Sequence, residues 1–204
     1  MEAMNLGPNG GLVYCMEFLL DNIEWLEENM GDYDQDYLIF DCPGQIELYT
    51  HIPLMKKLCQ KLGDWNYNIC SVFVLDSHFA TPPSKFVSGT LYCLSSMIQM
   101  ETAQINILSK IDLMKKDPHT YKQLLKYMDA ETDMMLPMLH EETGEKMSKL
   151  NEAIAGLVAD YSLVSFLPLD ITDEDSMEIV LAHIDNSIQF GEDEEVKMPK
   201  DEEE

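Results

Sequence analysis

The sequence contains no arginine: all 13 of its basic residues are lysine, against 38 aspartates and glutamates. The formal net charge at pH 7 is −25. Nucleic acids and anionic membranes are bound through basic surfaces, so this charge argues against either as a direct partner. The chain also lacks the planar guanidinium that grips phosphate in a bidentate manner. Any phosphate bound here must therefore contact lysine, backbone amides or a metal ion.

Long apolar runs and paired cysteines are missing too. No stretch approaches the roughly 18 consecutive apolar residues of a membrane-spanning helix, and no basic region followed by an apolar one opens the sequence. We therefore expect neither a membrane span nor a secretory signal. The five cysteines are odd in number and form no CxxC pair. This predicts reduced thiols in a cytosolic or nuclear protein and argues against zinc.

The acidic residues are unevenly distributed. The first 55 residues contain eleven acids and no lysine, and residues 192–204 contain eight acids and two lysines. A terminal segment so acidic and so poor in apolar residues is typical of a disordered tail. The sequence thus predicts one domain over residues 1–191 and an acidic tail over 192–204.

The hydrophobic pattern alternates between helices and short apolar strands. From Leu12 to Met30, apolar residues recur every three or four positions, which predicts one amphipathic helix. Residues 129–143 are the least regular and are predicted to be a mobile insertion. The alternation predicts an α/β fold with a mostly parallel sheet between two layers of helices. Strands are predicted at 37–40, 69–75, 104–108 and 164–167, and further helices at 52–62, 84–100, 120–128, 146–161 and after Thr172.

The loop after the first predicted strand carries the sequence Asp-Cys-Pro-Gly-Gln at 41–45. Ligands of such sheets bind beyond the carboxyl ends of the strands. Asp41 could hold Mg²⁺ there, Gly44 would let a backbone amide approach a terminal phosphate, and Gln45 could orient an attacking water. An ordinary strand-to-helix turn uses the same residue types, so both interpretations remain open.

The loop after the third predicted strand reads Ser109-Lys110-Ile111-Asp112. It resembles the T/N-K-x-D motif of GTPases, in which the aspartate accepts hydrogen bonds from guanine and the lysine stem packs on the base. A solvated lysine–aspartate pair at a helix start is the alternative. The order of the two loops along the chain favours the nucleotide interpretation, because it is the order found in a GTPase sheet.

A glycine-rich turn, Gly7-Pro8-Asn9 followed by two further glycines, precedes the first predicted helix. Together, GPNGG, FDCPGQIELYTH and SKID resemble the GPN-loop GTPase family, in particular its third eukaryotic paralogue type. Similar stretches extend the resemblance from Leu6 to the acidic tail, and it is weakest between Lys115 and Lys146. They are GGLVYCME, VLDSHF, DYSLVSFLPLD and SMEIVLAHIDNSIQFGED.

The resemblance implies a P-loop NTPase-like three-layer sandwich that hydrolyses GTP with Mg²⁺. It implies a heterodimer with another GPN-loop paralogue, working with RNA polymerase II subunits or assembly factors in the assembly and nuclear import of that enzyme. The location would be cytoplasmic, with shuttling to the nucleus. Because the acidic charge argues against nucleic acid and membrane as direct ligands, any link to transcription would run through protein partners.

The resemblance also implies roles for individual residues. The Gly7, Pro8 and Asn9 loop would cross a dimer interface and bring Asn9 near the partner's terminal phosphate. Asp41 would belong to the Mg²⁺ shell, and Gln45 would position water beside Gly44. The guanine base would be contacted by Ser109, Lys110, Ile111 and Asp112, with Leu167 on its far side.

The sequence departs from the family at its phosphate-binding loop. No G-x-x-x-x-G-K-[ST] motif occurs, so we expect the N-terminal strand and the P-loop to be missing and the domain to be incomplete. Hydrolysis would then be impaired and the sheet would keep an exposed edge. One alternative is a non-catalytic dimerising module that binds a paralogue. A second, an acidic histone-chaperone-like protein, is suggested by charge alone.

Overall fold

The computed structural model describes residues 6–31, 37–128, 132–160 and 164–191. In these ranges three strands form one parallel sheet in the order β1 (Cys70–Asp76), β2 (Ala103–Ser109) and β3 (Phe166–Pro168). Helices connect the strands, so the predicted α/β fold with a parallel sheet is confirmed. The helices are α1 (Pro8–Asp21), α2 (Ile23–Met30), α3 (Glu47–Thr50), α4 (Leu54–Asp64), α5 (Pro83–Met100), α6 (Ile111–Met114), α7 (Pro118–Met128), α8 (Thr132–Thr143), α9 (Ser148–Asp160) and α10 (Glu174–Ile188), and a 3₁₀ turn spans Glu145–Met147.

Helices pack on the sheet and shield its middle strand. α5 packs on the face of β1 that carries Phe73 and Leu75, in a core that includes Phe86 and Leu108. Its approach is close because residue 89 is glycine: a Cβ added there would lie 2.7 Å from Leu75 Cδ2. α10 contacts β1 and β2. None of the helices in the described ranges has both the length and the apolarity needed to cross a bilayer.

A second core lies beside the first and is built from α1, α3 and α4. Met16, Leu48 and Leu58 are buried in it. Met100, the last residue of α5, is buried in the same cluster. This second core supports the start of α1 and the turn around Asp41, which the sequence assigns to the phosphate side of a nucleotide site.

The prediction of a strand at residues 37–40 is wrong. The segment is irregular, and Ile39 is 88% exposed. A strand needs a neighbour to take up its backbone hydrogen bonds, and no strand in the described chain pairs with this segment. The ring of Tyr37 instead packs edge-on against Phe190, with 5.1 Å between the ring centroids.

Two helix predictions also need correction. The single helix over 12–30 is broken at Asn22, whose side-chain amide donates to the carbonyl of Phe18 at 2.8 Å. The backbone of Asn22 leaves the helical region, with φ −119° and ψ 37°, while its N–H still donates to the carbonyls of Phe18 and Leu19. The predicted mobile insertion at 129–143 contains helix α8, which includes Pro137 and buries Leu139. Residues 129–131 and the predicted acidic tail at 192–204 lie outside the described residues.

One face and one edge of β1 are exposed. β1 pairs only with β2 in the described sheet, and its side chains Val72 and Val74 are 40% and 59% exposed. Val74 lies beside Ile107 of β2 in the register, yet Ile107 is only 3% exposed. An apolar strand edge of this kind promotes association with other chains, as the sequence led us to expect.

We predict that Val74→Lys reduces aggregation without lowering the melting temperature, because a charge at an open strand edge blocks edge-to-edge pairing. Light scattering at rising protein concentration and a thermal melt measure the two effects. Ile107→Lys is the matched control, since it places the same charge on the neighbouring residue in a buried position and should cost about 4 kcal/mol or more. Equal aggregation of wild type and Val74→Lys would contradict the prediction.

Asp170 fixes the junction between β3 and α10. Its carboxylate accepts hydrogen bonds from Lys115 Nζ at 2.5 Å and from the backbone and hydroxyl of Thr172 at 3.0 and 2.6 Å. The bond from Lys115, followed by those from Thr172, lowers the pKa of Asp170 to about 2. Because these donors favour the ionised form, the junction depends on a charged Asp170.

The folded pKa of Asp170 lies below its ordinary value of 3.8, so its contribution to stability is complete above pH ~4 and is lost as the pH falls toward ~2. We predict that Asp170→Asn lowers the melting temperature at pH 7. The difference in melting temperature between wild type and variant should narrow as the pH falls from ~4 to ~2. Thermal melts at stepped pH measure it. Glu178→Gln, a change at an exposed carboxylate of α10, is the control. A gap that stays constant down to pH ~2 would contradict the assignment.

Candidate functional site

The glycine-rich turn and the Asp41 turn meet within one chain. Gly7 is extended, Pro8 occupies the first position of α1, and Asn9 follows in the exposed first turn of the helix. The side-chain amide of Gln45 donates to Asn9 Oδ1 at 2.9 Å. Two residues predicted for the catalytic role, 36 positions apart, are therefore hydrogen-bonded to each other.

The Asp41 turn is anchored by its polar neighbours and leaves its functional atoms accessible. Tyr49 donates its hydroxyl to the carbonyl of Pro43 at 2.6 Å, while Asp41 and Gly44 are exposed. Burial raises the pKa of the Cys42 thiol and raises that of Tyr49 to about 12. Both groups are thus neutral at physiological pH, which disfavours Cys42 as a nucleophile.

The Ser109–Asp112 loop lies at the carboxyl edge of the sheet, beside the end of β1. Lys110 adopts a left-handed backbone conformation with φ 62° and ψ 32° and immediately precedes α6. Its Nζ lies 2.6 Å from Asp76 Oδ2. The hydrogen bond from Lys110 lowers the pKa of Asp76, and the Asp112 side chain is half-buried.

Two other residues predicted to contact a nucleotide have mainly structural positions. The side chain of Ile111 is 2% exposed, and its N–H donates to the carbonyl of Leu169 at 3.2 Å. Ile111 therefore ties the loop to the segment after β3 and can offer a ligand only its backbone. Leu167 is half-buried in β3, paired with Ile107 of β2.

The predicted site residues thus form two groups. Asn9, Asp41, Gly44 and Gln45 belong to the turns beside the second core, and Ser109 to Asp112 belong to the edge of the sheet. Sequence reasoning missed Asp76 and Ser77, both of which bond to the second group. The available signal was their position at the end of the strongest predicted strand.

Asp41 could serve as a ligand of Mg²⁺. In the described ranges no group of three or more histidine, cysteine, aspartate or glutamate side chains is arranged to hold a metal. Mg²⁺ commonly takes one or two carboxylates and completes its shell with water and substrate phosphate. The exposed carboxylate of Asp41 suits a site of that kind, in which the nucleotide itself brings oxygen ligands.

Comparison with known proteins identifies the relatives of this chain. The family model described as "Conserved hypothetical ATP binding protein" matches residues 1–190. A protein of Dictyostelium discoideum named GPN-loop GTPase 3 is 50% identical over 199 residues, which are 98% of this chain and 70% of that protein. Proteins of the same name from Danio rerio and Xenopus tropicalis are each 48% identical, over 98% and 100% of this chain and 70% and 71% of their own lengths. With these matches and with the GPN turn, the Asp41 turn and the Ser109–Asp112 loop in place, the chain belongs to the GPN-loop GTPase family.

Proposed function

We propose that this chain binds a guanine nucleotide at the carboxyl edge of its sheet. The observation that carries the proposal is the Ser109–Asp112 loop, in which Lys110 is fixed by Asp76 and the half-buried Asp112 follows it. A carboxylate can only accept hydrogen bonds. It therefore matches the two N–H groups on the guanine edge, whereas adenine presents a ring acceptor there. The loop thus favours guanine, as in the relatives' name, over the ATP in the description of the family model.

We extend the proposal to GTP hydrolysis with Mg²⁺, carried out by the Asn9, Asp41 and Gln45 group. The bonded Gln45 and Asn9 side chains present amide groups suited to orienting a water or a phosphate oxygen. The exposed Asp41 supplies the metal ligand. No G-x-x-x-x-G-K-[ST] motif occurs in these 204 residues, so the phosphates lack that cradle and we expect slow turnover.

Replacing Asp112 tests the guanine site. Asp112→Asn removes the acceptor pair and offers a donor, so GTP should bind at least about tenfold more weakly while XTP binds more tightly. Fluorescent nucleotide titration in the presence of Mg²⁺ measures both, followed by phosphate release. Asp117→Asn is the matched control, because it makes the same chemical change five residues away. An equal loss of affinity for GTP and for XTP would refute recognition of the base by Asp112.

We also propose a heterodimer with another GPN-loop paralogue, formed through the face next to the GPN turn. Phe18 of α1 and Trp25 of α2 are each 59% exposed, and Tyr14 lies one turn before Phe18. Large exposed aromatic side chains are typical of protein interfaces. In such a dimer, Asn9 would be available to the partner's nucleotide once it leaves Gln45.

Phe18→Glu tests this interface. The new carboxylate should lower the amount of GPN-loop paralogue that co-purifies by about tenfold or more. In the proposed dimer, an aromatic side chain that the interface would bury is replaced by an unpaired charge. Ile98→Glu is the matched control, since Ile98 is a similarly exposed apolar residue, on α5. Equal effects of the two substitutions on paralogue binding would refute the assignment of the face.

The alternative function is a non-catalytic dimerising module that binds a paralogue without hydrolysing GTP. The same exposed aromatic residues and the missing phosphate-binding motif favour it. We further propose a role in the assembly and nuclear import of RNA polymerase II, with a cytoplasmic location and shuttling to the nucleus, supported by the family resemblance alone. Co-purification of polymerase subunits with wild type and with Phe18→Glu would test that role.

A further inference from the structure

The end of β1 carries two polar residues, Asp76 and Ser77, that no recognised motif assigns. Ser77 is completely buried. Its N–H donates to the carbonyl of Ser109 and its hydroxyl donates to the carbonyl of Lys110, both at 3.1 Å. The hydroxyl of Ser109 donates in return to the carbonyl of Leu75 at 3.2 Å. Three hydrogen bonds therefore join the end of β1 to the loop after β2.

These bonds hold a backbone conformation that Lys110 would not adopt freely. The left-handed region is unfavourable for a residue with a Cβ, and Lys110 lies in it with φ 62°. Ser77 restrains the loop through the Lys110 carbonyl, and Leu169 restrains it through the N–H of Ile111. The direction in which the Lys110 side chain leaves the backbone is thereby set from both sides.

Asp76 restrains the other end of the Lys110 side chain. One carboxylate oxygen accepts from Lys110 Nζ at 2.6 Å, and the other accepts from the N–H of His78 at 2.8 Å. Because both oxygens are engaged, the carboxylate itself is oriented. The lysine stem is thus held at the backbone by Ser77 and at the ammonium by Asp76.

We propose that Asp76 and Ser77 are positioning residues of the guanine site, which hold the Lys110 stem in the one direction that allows it to stack on the base. This inference rests on the function proposed above. It assigns the Leu75–Ser77 segment to the recognition of the purine ring and leaves hydrogen-bond recognition of the guanine edge to Asp112. Asp76 would act only through Lys110 and would not touch the nucleotide.

A double-mutant cycle tests the inference in the full chain. Asp76→Asn should weaken binding of a fluorescent guanine nucleotide by about tenfold, and it should weaken binding of the inosine nucleotide by the same factor, because the ring is affected and the edge is not. In the Lys110→Met background, Asp76→Asn should cause no further loss. Glu101→Gln, which breaks the equally short Lys56–Glu101 pair, is the control and should leave affinity unchanged.

An Asp76→Asn variant that binds as wild type does, or that weakens binding equally with and without Lys110, would overturn the inference. A wild-type chain that binds no guanine nucleotide would refute the proposed function instead. Carbon-detected NMR titration of Asp76 then decides on the positioning role. Lys110→Met should raise the pKa of Asp76 and the control Lys115→Met should not, whereas a pKa unaffected by Lys110→Met would overturn the inference.

Discussion

The parallel register between β1 and β2 is the constraint on which the candidate site depends. It pairs Asp76 with Ser109 at the carboxyl ends of the two strands. Side chains alternate between the two faces of a strand, so a slip of one residue would turn Asp76 and the partly buried Phe73 to the wrong faces. Packing supports this register, because Leu75 lies against α5 at Gly89, where an added Cβ would come within 2.7 Å of Leu75 Cδ2 and force that side chain to shift. The Ser109–Asp112 loop thus follows a strand that pairs with a well-packed neighbour.

The two groups of site residues are linked mechanically by α5. Phe86 and Val87 near its start are buried in the core beneath the sheet edge, and Met100 at its end is buried in the core beneath the Asp41 turn. The helix has 18 residues and spans about 27 Å at 1.5 Å per residue. The same helix therefore packs in both hydrophobic cores, beside which the two groups of candidate residues lie.

The sequence was sufficient to predict those helices and strands that have a strong apolar pattern of their own. β1 is an almost continuous apolar run, β2 carries Ile105, Ile107 and Leu108, and α5 has a regular apolar stripe. The ends of these three elements were predicted to within one or two residues, and the start of α10 was predicted equally well. The segment at 37–40 has the same apolar character, but its state depends on whether another strand lies beside it, which composition does not reveal. The helix break at Asn22 is a change of backbone conformation at one residue, with φ −119° and ψ 37°. In both places the apolar pattern of the sequence continues, although the backbone departs from the element that the pattern predicts.

The same distinction applies to the site. Lys110 and Asp112 could be named because they follow a strand of the parallel sheet, where ligands of such sheets bind. Asn9 was named from the family resemblance, and Asp41 was named from a predicted strand that the structure does not contain. Asp76 and Ser77 could not be named, since the role proposed for them depends on β1 and β2 being in register, which brings Asp76 to Lys110. The bond between Gln45 and Asn9 was likewise unpredictable, as it depends on how α1 packs beside α3 and α4.

The net charge bears differently on the two parts of the proposed nucleotide site. A triphosphate is repelled by a protein of net charge −25 and needs Mg²⁺ or lysine to offset that field. The guanine base is neutral, so its recognition is insensitive to net charge and depends on fixed local geometry. Two of the four ion pairs in the described chain, Lys110–Asp76 and Lys115–Asp170, lie in the loops that follow β2 and β3. These two lysines therefore order the loops through carboxylates of the chain itself. In the proposed site, the positive charge facing the phosphates would then come chiefly from the metal.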